Sequence, residues 1–333
     1  MKVPPCSYSS LPSWTHCKNA LIGFIAVVAV FIVVFIAYHG ASSARLARFY
    51  KSKRYDPSKT NKLCKQSPRQ EAINWNYFYY YEDVKTKKSL VWCKVPKAGS
   101  TTLTKMFLRL AGAKDISNTT RIHKLLRNYY PRLSSKVMTH RIRDSKTFVV
   151  VRDPFERILS AYRDKLESYE RDLEYRDGYY YDHYGRFMVK DEKTGMTGNF
   201  TTTRKEPTWP EFVQYLLKTS VARYDEHWMP ITRLCSPCKV DYNIVIKMEN
   251  FAREIRQPLN YAKIDVASLG WAHKTGTSTN RKIINGYFKN LTLTDVKKLY
   301  AKYKKDFQLF GYTPFKYFKL FNNNNEQNKT VTE

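Results

Sequence analysis

One stretch constrains the fold of this chain more than any other. Ser89–Leu110 reads SLVWCKVPKAGSTTLTKMFLRL. Leu90–Val95 is a short apolar run with β-branched and aromatic residues, which predicts a buried strand. Leu103, Met106, Phe107 and Leu110 fall at i, i+3, i+4 and i+7, which predicts a helix with one buried face. Between them lie Pro96, Lys97, Ala98, Gly99, Ser100, Thr101 and Thr102. A strand that passes through a small-residue loop into a helix N-terminus makes an anion site. Gly99 allows close backbone approach, the first-turn N–H groups point at the ligand, and the helix dipole favours negative charge. The three hydroxyls add donors and Lys97 adds a full charge. A Walker A loop requires its Lys after the second Gly. Here Lys97 precedes the loop's only Gly, and no acidic Mg²⁺-holding residue is evident nearby, which argues against a P-loop kinase.

Thr147–Val151 reads as a second strand, followed by Arg152-Asp153-Pro154 and a helix whose buried face is Phe155, Ile158, Leu159, Tyr162 and Leu166. Pro154 suits the first helical turn, and Ser160 lies inside that helix. Ligands of open α/β sheets bind beyond the carboxyl ends of the strands. Arg152 stands at such an end, and its guanidinium can grip a phosphate by two parallel hydrogen bonds. Asn243–Lys247 predicts a third strand. Thr208 is read as the cap of a helix carrying Trp209, Phe212, Val213, Leu216 and Leu217, and Thr294 as the cap of the last helix. Glu71–Glu82, with Trp75, Tyr77, Phe78 and Tyr79, holds the first packed residues. Tyr169–Thr203 is charged, tyrosine-rich and dotted with glycine, and reads as an insertion over the substrate side or a mobile loop.

Four segments carry a resemblance. The order P-K-x-G-[ST]-T at Pro96–Thr101 resembles the 5′-phosphosulfate loop of sulfotransferases that use PAPS (3′-phosphoadenosine 5′-phosphosulfate). Val149–Glu167, VVVRDPFERILSAYRDKLE, resembles the 3′-phosphate segment of the Golgi carbohydrate sulfotransferases. Within them the chain most resembles the group with the HNK-1, chondroitin 4-O, dermatan 4-O and GalNAc 4-O enzymes. Glu226-His227-Trp228 through Cys238 and Tyr242–Asn250, then Lys305–Tyr312, resemble two further stretches, in the right order. The similarity covers Tyr77–Pro314. It implies an α/β fold: one PAPS-dependent sulfotransferase domain, P-loop-like, with a central parallel sheet, over residues 76–320. It implies Lys97–Thr102, Ala98 included, at the 5′-phosphosulfate, Arg152 and Ser160 at the 3′-phosphate, a glycan hydroxyl as acceptor, and no metal. A His fits the role of general base near neutral pH. His140, which aligns with a His in several relatives, ranks first, ahead of His227 and His123.

The 333-residue chain carries a formal charge of +29 and 26 tyrosines. Such a surface seeks polyanions. No RNP-type, zinc-finger or homeodomain pattern is visible, so nucleic acid is not the expected partner. A polymer with regular carboxylates, such as chondroitin or dermatan sulfated on GalNAc O4, suits the charge. The other acceptors considered are an HNK-1-type glucuronyl group and N-glycan GalNAc. The rival from another class is an inactive, membrane-anchored binder of polyanionic glycans.

Residues 1–19 read as a cytoplasmic tail. Ala20–Tyr38, uncharged and almost wholly apolar, is long enough to span a bilayer and is read as an uncleaved signal-anchor. Residues 39–75 read as a stem and 321–333 as a disordered polar tail. The basic residues Arg45, Arg48, Lys51, Lys53 and Arg54 follow the span, so the positive-inside rule favours a cytosolic C-terminal part. The sequons at Asn118, Asn199, Asn290 and Asn328 oppose that, and the resemblance implies a type II Golgi membrane protein with a lumenal domain. Cys64, Cys93, Cys235 and Cys238 follow the span. Cys235-x-x-Cys238 lacks the second ligand pair of a zinc site, and disulfides are favoured in the lumen. Four cysteines allow three connectivities, and Cys93, on a buried strand, is expected to be the free one.

Overall fold

The computed structural model describes residues 63–65, 72–114, 116, 122–189, 204–270 and 280–327, without the side chains of 322–327. The expected span 20–38, most of the stem, and the sequons at Asn118, Asn199 and Asn328 lie outside the described residues. Among the described residues no helix is long and apolar enough to cross a membrane.

A short 3₁₀ turn, Trp75–Tyr77, leads into β1 (Phe78–Glu82), and β2 (Ser89–Cys93) follows. After the loop come α1 (Ser100–Leu110), α2 (Ile122–Tyr129) and α3 (Ser135–Asp144), then β3 (Lys146–Val151) and α4 (Pro154–Lys165). The chain continues through α5 (Tyr169–Arg176), a π-helical turn Tyr181–Gly185, α6 (Trp209–Lys218), α7 (Ile231–Cys235) and β4 (Ile244–Lys247). Two short helices, Phe251–Glu254 and Arg256–Tyr261, precede α8 (Arg281–Phe288), α9 (Leu293–Leu309) and α10 (Phe315–Gln327). The sheet order is β1-β2-β3-β4. β2, β3 and β4 run parallel, but β1 pairs antiparallel with β2, Phe78 opposite Cys93 and Glu82 opposite Ser89. The expected parallel sheet is thus mixed, with an antiparallel edge.

Every residue of β2 is buried, the pattern of a parallel strand covered on both faces. One core cluster surrounds the sheet, where Trp92 and Phe107 lie with ring centroids 5.1 Å apart. A second gathers around Phe155, whose ring meets Phe307, Tyr317 and Phe288 at 4.9, 4.8 and 5.4 Å. Thr208 caps α6 in a full capping box with Glu211, as its spacing suggests. The expected cap at Thr294 moves two residues back. Thr292 accepts from Asp295 N, since its hydroxyl stands three residues before that donor. The final helix reaches Gln327, into the stretch read as a polar tail. Asn290 is exposed in the turn between α8 and α9.

Cys93 pairs with Cys235, and Cys64 with Cys238. Cys93 is therefore not free. Its strand is buried, but its partner at the end of α7 is buried against the same core, and no sequence spacing reports that contact. The bonded cysteines also dispose of a zinc role for Cys235 and Cys238.

Two long-range ties fix the end of the sheet. Arg157 of α4 is only 1% exposed. It donates from Nε to Pro96 O at 2.9 Å, from Nη1 to Met229 O at 2.7 Å and from Nη2 to Glu226 O at 2.8 Å. Asp306 of α9 accepts from Ile231 N at 2.6 Å and Thr232 N at 2.9 Å. Arg157→Met keeps most of the volume and leaves three carbonyls, one buried and two partly buried, without this donor. It should lower stability by about 3–5 kcal/mol in urea unfolding. A Cys93→Ala/Cys235→Ala pair, which opens a 142-residue loop, should lower it by about 2–5 kcal/mol in the same assay. An unchanged urea midpoint in either variant would mean that the contact it removes does not stabilise the fold.

Candidate active site

β2 and β3 pair with Cys93 opposite Val149, and β3 and β4 with Val151 opposite Lys247. Continued past the strands, this register brings Pro96, Arg152 and Met248 to one level. The loop after β2 therefore meets Arg152 directly, and Arg152 Nη1 donates to Lys97 O at 3.1 Å. Two residues of the loop take left-handed φ, Lys97 at 65° and Gly99 at 71°. Gly99 tolerates this and ends the turn; at Lys97, which carries a Cβ, the strained backbone is held by Arg152.

The first intrahelical bond of α1 is Leu103 N to Gly99 O, at 3.2 Å. The N–H groups of Ser100, Thr101 and Thr102 precede it and have no partner within the helix. All three residues line a cavity of about 950 Å³, together with Lys97, Gly99, Arg152 and Ser160. Ala98 does not belong there: it is buried, and its N–H is spent on Val95 O at 3.3 Å. Eight cationic side chains line this cavity against three carboxylates. Several were not singled out by sequence, among them Lys94, Lys165 and Arg176.

Asp164, one turn beyond Ser160, organises those cations. It lies 3.1 Å from Lys97 Nζ, 3.2 Å from Lys165 Nζ and 2.9 Å from Arg176 Nη2. Burial alone would raise its pKa, but the three cations outweigh that and hold it well below the usual carboxylate range. Burial lowers Lys97, and Asp164 partly restores it. The Arg-Asp-Lys run could have flagged Asp164, yet such runs are ordinary on solvated helix faces.

The three histidines separate clearly. His140 is 74% exposed on α3, 4.0 Å from Asp144, and does not line the cavity. The end of α3 abuts the start of β2, where Ser89 Oγ donates to Asp144 O at 3.4 Å. That is the amino end of the parallel strands, opposite the cavity, so proximity in sequence to Arg152 misplaced His140. His123 and His227 do line the cavity. Desolvation and then nearby cations, Lys94 foremost, push His123 down to about 3. Lys94, Lys165 and Lys97 all act against a proton on its ring. His227 is largely buried and faces a carboxylate: Nδ1 lies 2.7 Å from Asp225 Oδ1 and 3.1 Å from the Tyr180 hydroxyl. Asp225 also accepts from His227 N at 2.9 Å. Burial lowers the His227 pKa and Asp225 opposes it. The carboxylate fixes the proton on Nδ1 and leaves Nε2 as the ring's acceptor. Asp225 stands only two residues before His227, a spacing too common to be a signal.

Residues 80–313 match the model of the sulfotransferase family. Human carbohydrate sulfotransferase 8 is 29% identical over 245 residues, 70% of this chain and 55% of that protein. Rat carbohydrate sulfotransferase 11 is 27% identical, covering 69% of this chain and 66% of its own length. Mouse carbohydrate sulfotransferase 10 is 31% identical over 241 residues, 68% of this chain and 65% of its own. The chain thus spans between about half and two thirds of these relatives. No solved structure matches it. A match over most of the described fold, with the loop, the arginine and the helix serine all at one cavity, places the chain in the sulfotransferase family.

Proposed function

We propose that this protein transfers a sulfuryl group from PAPS to a glycan hydroxyl. One observation carries the reading: a single cationic cavity joins the Lys97–Thr102 loop, Arg152 and Ser160 to a carboxylate-backed histidine. PAPS supplies an activated sulfuryl group on a 5′-phosphate leaving group. Its anionic groups suit a site with free helix N–H groups and excess positive charge. Arg152 and Ser160 hold the 3′-phosphate. Lys97 and the Ser100–Thr102 donors stabilise negative charge that grows on the bridging oxygen. His227 Nε2 takes the acceptor's proton, and Asp225 steadies the imidazolium that results. His227 replaces His140 in this role, and His123, ringed by cations, is a poor place for a further positive charge.

For the acceptor, we infer a chondroitin- or dermatan-type polymer sulfated at GalNAc O4, from the formal charge of +29. The apolar stretch 20–38 and the resemblance to the Golgi carbohydrate sulfotransferases support a Golgi membrane protein of type II, glycosylated at exposed Asn290 among its sequons. The deciding experiment supplies the purified protein with PAPS carrying radiolabelled sulfate and a panel of desulfated glycans. Label in chondroitin GalNAc supports the reading; label in no glycan defeats it.

Lys97→Ala should cut kcat by about 10²–10³, the usual loss for one transition-state donor. Arg152→Ala should mainly weaken binding of PAP (3′-phosphoadenosine 5′-phosphate), as calorimetry would report.

His227→Ala should lower kcat with PAP affinity intact, while His140→Ala should be fully active. Activity needs neutral His227, so it is present above the folded-state pKa and lost as pH falls through it. Burial holds that pKa below the ordinary 6.5, so the acid limb of kcat/KM should lie below it. Asp225 raises the pKa, so Asp225→Asn should move the limb lower still and reduce kcat. A limb that moves upward would count against the pair.

A further inference from the structure

The cavity extends past the residues assigned to the donor and the base. Its outer wall is formed by α5 and the turn after it, where Arg171, Tyr175 and Tyr179 all line the cavity and are all exposed. Arg171 and Tyr175 stand one helical turn apart. Two exposed aromatic rings at the rim of a cavity offer stacking area to a ligand.

The wall is firmly built. Asp172, 1% exposed, accepts from Tyr180 N at 2.7 Å and from Tyr181 N at 3.0 Å. Gly178 N closes the turn onto Asp172 O at 3.1 Å. The Tyr179 ring stacks on His183, centroids 4.1 Å apart and 25° between planes. From there aromatic rings lead inward: Tyr179 to Tyr180 at 5.2 Å, then the Tyr180 hydroxyl to His227 Nδ1 at 3.1 Å. Tyr179 therefore lies one ring outward from the assigned base. Arg171 Nη1 donates to the neutral carbonyl of Arg163 at 3.1 Å. Among the described residues its charge is matched by no carboxylate within ion-pair distance. Arg176, by contrast, is bound to Asp164.

We propose that this wall is the acceptor subsite for a uronate-bearing sugar polymer. Tyr179 stacks on the face of a sugar next to the one that reacts, with Tyr175 beyond it, since such rings offer apolar area and a polar tip together. Arg171 pairs with the carboxylate of a neighbouring uronate, for which a planar guanidinium is suited. A neutral glycan would use the tyrosines and leave Arg171 idle. The assignment rests on the sulfotransferase reading of the same cavity for its direction, with donor at one end and acceptor at the other.

The test titrates unsulfated chondroitin hexasaccharide, and the same oligosaccharide with its carboxyls reduced, into the full-length protein, Arg171→Ala and Tyr179→Ala. PAP binding is measured on the same samples. Arg171→Ala should weaken the native hexasaccharide about tenfold and leave the reduced one unchanged. Tyr179→Ala should weaken both about tenfold, and PAP affinity should be unchanged in either variant. Arg171→Lys should recover part of the loss. Equal affinity of wild type and Arg171→Ala for the native sugar overturns the proposal. So does wild-type binding that ignores carboxyl reduction, or no binding of either sugar. Failure of wild type to bind PAP would instead reject the donor reading, with the sugar comparison still deciding the wall.

Discussion

The guanidinium of Arg157 holds the site together. Its three hydrogen bonds reach the carbonyl of Pro96, which opens the anion-binding loop, and those of Glu226 and Met229, which bracket His227. Two segments far apart in sequence are thus fixed by one planar group, whose fork of five N–H donors suits several acceptors at once. Burying that charge is costly, and three carbonyl dipoles with Asp306 nearby offset the cost. Asp306 also accepts from the backbone of residues 231 and 232, so the segment bearing His227 is held from the α9 side as well. The buried arginine here serves geometry as well as stability. A hydrophobic residue of equal volume would fill the space, but it would leave those carbonyls without donors and free the loop to shift relative to the segment bearing His227.

The cavity poses the opposite electrostatic problem. Eight cations in one concave site repel one another, and most are partly desolvated, which strengthens the repulsion. Asp164 relieves it by touching three of them. It leaves an excess of positive charge, which the anionic donor would neutralise. The site is thereby oriented before ligand arrives, so little reorganisation is needed when charge develops. The same excess makes the empty site the less comfortable state, and ligand binding should stabilise the fold by mass action.

Local patterns were legible in the sequence where one segment decides its own structure. The strand, loop and helix of Ser89–Leu110, the cap at Thr208 and the α4 helix behind Pro154 follow from periodicity, capping and the geometry of proline. What depended on contacts between distant segments was not legible. The antiparallel placement of β1, the pairing of Cys93 with Cys235 and the role of Arg157 are properties of packing. His140 shows the same limit from another side. It lies near Arg152 in sequence, but a helix and then a strand separate them, and a strand of six residues carries the chain from one end of the sheet to the other. Closeness in sequence became distance in space, while His227, seventy-five residues after Arg152, came into the cavity.

The helix α4 also separates what must stay constant from what can vary. Ser160 and Asp164 stand one turn apart on it, so the hydroxyl proposed to bind the donor and the tether of Lys97 belong to one rigid element. α5 follows and is joined to it through Arg176 and Asp164. Its outer face carries Arg171, Tyr175 and Tyr179, none of which touches the loop after β2 or the end of β3 through any bond described above. Residues on that face can change without disturbing the donor site, because the turn that presents them is fixed by the buried carboxylate of Asp172. On the proposed reading, a fold arranged this way would keep one donor chemistry and alter the sugar it accepts by exchanging a few exposed side chains.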